Sequence, residues 1–305
     1  MSKLIKLFLL LFFTATLNAK VITPSEVYSQ VSLIRQELHS IMKYYDIKDS
    51  KKDIVKRNKI NVALKPRNVW QKSYEIMIKI NILRNAHNLP TIKPVNMSPV
   101  LHVNPDLVYE QTQRILTEFK IFKFRLGLPQ QQFDEEKFFD KTPSDVFNGL
   151  NRISTSLDLL NKGGLTPSFV FAENMKVYDD ISLILNFLEI EDKTIPRLKN
   201  KNATPYVTFE TGMDILNKIK YLQINSGLDF VDFSGFRKKK IIPSDVFSLT
   251  QMILAELQTI KAYIGLKEIT AHAANYKTKT PIEVDQLMSW NLRKLNLIDS
   301  LIKGK

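Results

Sequence analysis

Eight times along this chain a proline opens a stretch of the same design, and that repetition leaves few folds available. The clearest copy is Thr142-Pro143-Ser144-Asp145-Val146-Phe147. Thr23-Pro24-Ser25-Glu26-Val27-Tyr28, Thr166-Pro167-Ser168-Phe169-Val170-Phe171 and Ile242-Pro243-Ser244-Asp245-Val246-Phe247 match it closely. Looser copies begin at Lys65-Pro66, Asn104-Pro105, Thr204-Pro205 and Thr280-Pro281. Each reads as a helix start. A polar residue stands at the N-cap, and proline follows at the first helical position, where its missing N–H would have had no partner in any case. Thr142 with Asp145, Thr23 with Glu26 and Thr280 with Glu283 approximate capping boxes. Lys65 and Ile242 are poor caps, so the second and seventh helices must lean on packing.

Counting from each proline, positions 3, 7, 10, 14, 17 and 21 form an apolar stripe: Val27, Val31, Ile34, Leu38, Ile41 and Tyr45 in the first unit; Val246, Thr250, Ile253, Leu257, Ile260 and Ile264 in the seventh. Steps of four and three residues place these side chains on one face of a helix. An aromatic stands beside the first stripe residue in seven units (Tyr28, Trp70, Tyr109, Phe147, Phe171, Phe209 and Phe247), and Asp285 replaces it in the eighth. Such rings serve to lock the first turn onto a neighbour.

The steps between prolines are 42, 39, 38, 24, 38, 38 and 38 residues. The one short step separates two sets of four, and Thr112-Gln113, Ile115-Leu116, Glu118 and Gly127-Leu128 reappear as Thr250-Gln251, Ile253-Leu254, Glu256 and Gly265-Leu266. The expected fold is all-α: eight long proline-capped helices in two duplicated four-helix modules, residues 20–163 and 164–305, with long connections. Gly163-Gly164 in the short step suits a left-handed helix stop. A helix of about 24 residues is about 36 Å long, and a 14-residue linker reaches about 46 Å. The connections can therefore run back along the helices, which would make the helices of a module parallel, or fold into short elements of their own, which would permit an up-down bundle. Ile60, Val62 and Leu64 alternate with polar residues as in an extended piece lying on the bundle, and residues 132–140 could form a short helix.

Residues 1–19 read as a secretory signal peptide: Lys3 and Lys6, an apolar run from Leu7 to Phe13, and a cleavage pattern at Leu17-Asn18-Ala19. The expected location is the periplasm or the exterior of a bacterium. No later stretch approaches the roughly 20 apolar residues of a membrane span. The chain has no cysteine, which removes disulfides, thiol catalysis and thiolate metal sites.

The full chain carries +13, of which the leader holds two charges. The excess gathers in connections. Lys51, Lys52, Lys56 and Arg57, with Arg237, Lys238, Lys239 and Lys240, are candidates for binding an anion or a partner; a lysine-rich solvated surface is the plainer reading. Nucleic acid fits poorly with export and with the lack of a reading module. Ser73, Thr112, Asn174 and Thr250, at the second stripe position, are pocket candidates if the helices are parallel; otherwise small residues there serve close helix approach. The histidines His39, His87, His102 and His272 show no zinc-protease spacing, Glu268 with His272 reads as a surface pair, and Asp134-Glu135-Glu136 and Asp229 with Asp232 read as solvated acids. No catalytic residue, metal site or cofactor is expected. The functional expectation is an exported, non-enzymatic binding protein, an envelope accessory or scaffold for a protein partner or anionic ligand. The alternatives are a periplasmic small-molecule sensor and an enzyme without a recognisable motif.

Overall fold

The computed structural model of the chain describes residues 21–47, 60–162, 164–236 and 240–301. The expected leader lies outside them. Among the described residues the chain forms eight α-helices and no strand: α1 (Pro24–Tyr44), α2 (Pro66–Ala86), α3 (Pro105–Arg125), α4 (Pro143–Leu160), α5 (Pro167–Phe187), α6 (Pro205–Asn225), α7 (Pro243–Tyr263) and α8 (Pro281–Leu295), with a short 3₁₀ turn (Phe233–Gly235) before α7.

Every helix begins on its proline, and the caps follow from the residues around it. Thr142 N–H donates to Asp145 Oδ2 at 2.9 Å while Asp145 N–H donates to Thr142 Oγ1 at 3.2 Å. Thr23 N–H reaches Glu26 Oε2 at 3.0 Å, and Thr280 N–H reaches Glu283 Oε2 at 2.9 Å. Where the N-cap has no oxygen, the third helical residue still acts: Lys65 N–H donates to Asn68 Oδ1 at 2.9 Å and Ile242 N–H to Asp245 Oδ2 at 3.0 Å. The other ends are equally regular. Asp46, Asn88, Gly127, Glu189, Gly227 and Gly265 all take positive φ, and each is followed by Ile or Leu. The N–H of that apolar residue reaches back into the last turn, as from Ile47 to Met42 O at 3.0 Å and Leu266 to Lys261 O at 2.9 Å, which closes six helices in the same way. In α4 the left-handed residue is Lys162 (φ 51), one place ahead of the glycine pair from which the stop was expected; Gly163 lies outside the described residues.

The helices of the first module are parallel. Pro24, Pro66, Pro105 and Pro143, with Val27, Val69, Val108 and Val146, surround a single void of about 20 Å³, so all four N-termini meet at one end. Further along, Ile34, Ile76, Ile115 and Ile153 supply the third stripe position and are all buried. Around the ring α1 touches α3 and α4, and α2 touches the same two; α5 to α8 repeat this arrangement, α5 and α6 each touching α7 and α8. In the second module Gln251 bonds Glu173 (3.0 Å) and Gln258 bonds Asp180 (2.9 Å), a register in which α5 and α7 advance together.

The connections run back along the bundle, mostly without helix. Ile60, Val62 and Leu64 are buried, and Leu64 N–H and Val62 O both bond Ser144 Oγ at the start of α4. Residues 132–140, which could have formed a short helix, form none: Phe133 packs by Lys123 and Phe138 by Tyr28, each separately on the bundle. Phe138 meets Tyr28 edge-on at 4.8 Å with Lys141 Nζ over both rings; Tyr276, Phe171 and Lys279 repeat the arrangement at 4.9 Å. Lys141 N–H and Lys279 N–H donate to Ser25 Oγ and Ser168 Oγ respectively. These matched pairs carry the duplication down to single side chains.

The modules join through α2 and α7, and this contact is polar. Arg67 lays two guanidinium nitrogens on Glu256 (3.0 and 2.9 Å), Gln71 bonds Gln251 (2.6 Å), and Glu75 accepts from Ser248 (2.7 Å). The numbers rise on α2 as they fall on α7, so the two modules stand in opposite directions. Further bonds extend the seam to Lys176, which donates to Glu173 (2.9 Å), Tyr74 Oη (3.2 Å) and Asn96 Oδ1 (3.3 Å). The contact buries α2 and α7 on faces that would otherwise meet water, which answers how two helices without a capping oxygen are held.

Candidate functional site

The first module carries a groove of about 950 Å³. One wall is α1. Its stripe turns Val31, Ile34, Leu38 and Ile41 inward, and the helical period then places Ser32, Arg35, Gln36, His39, Ser40 and Lys43 along the groove. Opposite stand Arg152 and Ser156 from α4, Lys123 from the end of α3, and Pro129, Gln131, Phe133 and Glu136 from the connection between them. Buried Leu38, Met42 and Ile153 form the floor. Just before the groove, three residues ahead of Arg152, Gly149 brings α4 against α1; a Cβ there would lie 2.7 Å from Val31 Cγ1.

Its charges are unequal. Lys123 is buried and neutralised by Glu37 at 2.6 Å, its Nζ lying 5.3 Å from the Phe133 ring centre. Glu136 is held by Ser32 Oγ at 3.3 Å, and Glu135 by Gln30 at 3.1 Å. That leaves Arg35, Lys43 and Arg152, none of which has an ion-pair partner among the described residues. Three basic side chains thus share the cavity lining with one carboxylate, Glu136, an arrangement that attracts an anion.

The second module shows what the same place looks like when the chain fills it. With Pro24 matched to Pro167 and Pro143 to Pro281, Arg35 corresponds to Tyr178, Arg152 to Trp290 and Ser156 to Lys294. Tyr178 and Trp290 pack at 4.9 Å, Lys294 Nζ lies 4.0 Å from the Tyr178 ring centre, and Trp290 Nε1 donates to Thr194 at 3.0 Å. Lys294 pairs with Asp192 at 2.5 Å and Arg293 donates to Ile195 O at 2.9 Å, so the connection after α5 is pinned into that groove. The buried pair beneath is common to both modules: Lys123 with Glu37 in one, Lys261 with Asp180 (2.7 Å) in the other. The frame is common to both modules, while the lining differs: packed rings in the second, and in the first cations with no ion-pair partner among the described residues.

Sequence reasoning did not single out this groove. Its residues lie beside the stripe on ordinary surface positions, and the one available signal was the mismatch between Arg35, Arg152 and their counterparts Tyr178, Trp290. Of the basic candidates, Lys51, Lys52, Lys56, Arg57, Arg237, Lys238 and Lys239 lie outside the described residues, and Lys240 is exposed in the connection before α7, away from the groove. Ser73, Thr112, Asn174 and Thr250 are fully buried, and each side chain bonds a carbonyl of its own helix: Ser73 to Val69 O (3.2 Å), Thr112 to Tyr109 O (2.7 Å), Asn174 to Val170 O (3.0 Å) and Thr250 to Val246 O (2.9 Å). None of the four lines the groove.

Other titratable groups are engaged elsewhere. Glu268 and His272 lie in the irregular connection after α7 rather than on one helical face, and His272 sits beside Asn96 (3.5 Å). Burial, then Lys93 and Lys176, push its pKa down. Asp229 is held by Lys65 (3.0 Å) and Arg67 (3.5 Å), and Asp232 by Lys220 (3.0 Å). Among the described residues no three His, Asp or Glu converge as metal ligands, and no helix is long and apolar enough to cross a membrane. Comparison of the chain with family models, with curated proteins and with solved structures found no match.

Proposed function

We propose that the chain is an exported, non-catalytic binding protein, an envelope accessory or scaffold, and that the groove of its first module holds an anionic ligand or an acidic part of a protein partner. The observation that carries this reading is the set Arg35, Lys43 and Arg152, which have no ion-pair partner among the described residues, at the place where the second module is packed shut by Tyr178, Trp290 and Lys294. Export rests on the sequence of residues 1–19. Of the acids read from sequence as solvated, Asp229 pairs with Lys65 and Asp232 with Lys220.

The test is capture from envelope extract by the mature protein and by its Arg35→Glu/Arg152→Glu variant, at low salt and at about 0.5 M, where the Debye length falls below about 5 Å and exposed charge contacts weaken. A specific partner held by the parent at low salt, weakened at high salt and lost by the variant is the expected result. Capture that the charge reversal leaves intact would move the binding surface elsewhere and overturn the groove assignment.

A further inference from the structure

Resting on the groove reading above, we infer that the anion it takes is an extended acidic peptide segment, with carboxylates on alternate residues. Arg35, His39 and Lys43 follow one another at four-residue intervals along α1, a rise of about 6 Å per step. Side chains on one side of an extended peptide repeat at about 6.7 Å. Over two steps the two ladders drift by about 1.5 Å, well within the reach of Arg and Lys side chains. From Ser32 to Tyr44 the wall runs about 18 Å, which spans five or six residues of extended chain.

The rest of the lining suits a peptide backbone. Ser32, Gln36, Ser40, Gln131 and Ser156 offer neutral donors and acceptors between the basic side chains; peptide N–H and C=O groups can use both, whereas a polyphosphate uses only the donors. Leu38, Met42 and Leu128 give apolar surface for the intervening side chains. The competing class, single-stranded nucleic acid, needs free ring faces for its bases. The two aromatic rings present already have partners: Phe133 lies beneath Lys123 Nζ, and Tyr44 meets Tyr45 edge-on at 5.1 Å.

Fluorescence anisotropy on the mature protein tests this. The probes are a labelled seven-residue peptide of alternating Glu and Thr, a second with the same residues in two blocks, and an oligothymidylate of equal charge. The alternating peptide should bind more tightly than either of the others, and both Arg35→Glu and Arg152→Glu should weaken it at least tenfold, about 1.4 kcal/mol. Arg35 is exposed, so its variant keeps the test valid if the half-buried Arg152 proves necessary for folding. Equal binding of the blocked peptide would overturn the spacing argument, and tighter binding of the oligothymidylate would replace peptide with nucleic acid. No peptide binding, alongside an extract partner still lost in the double variant, would sink the peptide class and leave the groove standing.

Discussion

Glu75 lies fully buried on α2 between Lys72 (2.8 Å) and Lys79 (3.3 Å), and accepts from the hydroxyls of Ser154 (2.5 Å) and Ser248 (2.7 Å). Burial alone would raise its pKa. The two ammonium groups and the hydroxyls outweigh burial and hold it at about 2, down from 4.5. A carboxyl depressed in this way contributes stability above its unfolded pKa and loses it as pH falls from about 4.5 towards 2. Glu75→Gln is therefore expected to lower the melting temperature at pH 7, by a change worth about 3 to 5 kcal/mol for a broken buried pair, and to flatten the decline in stability between pH 4.5 and 2. Thermal melts across that range check both; a variant that melts with the parent at pH 7 refutes them. The stripe residues Val27, Ile34 and Ile253 are buried where their spacing puts them, but nothing local marks Glu75 as core. It lies off the stripe, between Ser154 of α4 in its own module and Ser248 of α7, 173 residues further on. Ser73 and Thr112 illustrate a related limit. A hydroxyl on an apolar stripe has the same spacing whether it lines a cavity or bonds the preceding turn, as these two do.

At the scale of the element, helix starts were more legible than helix stops. Proline after a capping residue is a short and specific code; all eight starts stand on the proline, and six of them follow a Thr or Asn. The stops use a left-handed residue followed by Ile or Leu, and only three of the six at the common position are glycine, so the eye passes over Asp46-Ile47, Asn88-Leu89 and Glu189-Ile190. L-residues pay about 1 kcal/mol for that conformation and glycine does not. Asp46→Gly should thus raise stability by about 0.5 to 1 kcal/mol, read as a higher denaturant midpoint at unchanged slope. A lower midpoint would show that the Asp46 side chain supports the turn. Helix direction was beyond sequence because connections of these lengths suit both arrangements. It is fixed by tertiary contacts such as Ser25 with Lys141 and the four prolines around one void.

At the scale of the whole molecule, the duplication was readable as two fours, whereas their mode of union was not. The modules meet through unlike faces, α2 of the first on α7 of the second, so the matching faces on α6 and α3 are left over. Those faces no longer fit each other: Tyr206 and Thr211 stand where α2 has Arg67 and Lys72, and Glu118, the counterpart of Glu256, is already paired with Arg84 at 2.5 Å. Because Arg67, Lys72, Glu75 and Glu256 would each lose partners if one module unfolded alone, calorimetry of the mature chain should give a single transition whose calorimetric and van't Hoff enthalpies agree. Two resolved transitions would show the seam to be weaker than its bonds imply.

The opposed directions of the modules have an electrical consequence. Each helix of about 21 residues carries roughly half a positive charge at its N-terminus and half a negative charge at its C-terminus, and four pointing the same way would make a module a polarised rod with about two charges of each sign some 30 Å apart. Such a rod would orient at a charged surface and repel a parallel neighbour. Turning the second module over sets the two moments against each other, so that the backbone of the complete chain is left nearly without polarity and its long-range field is written by side chains alone.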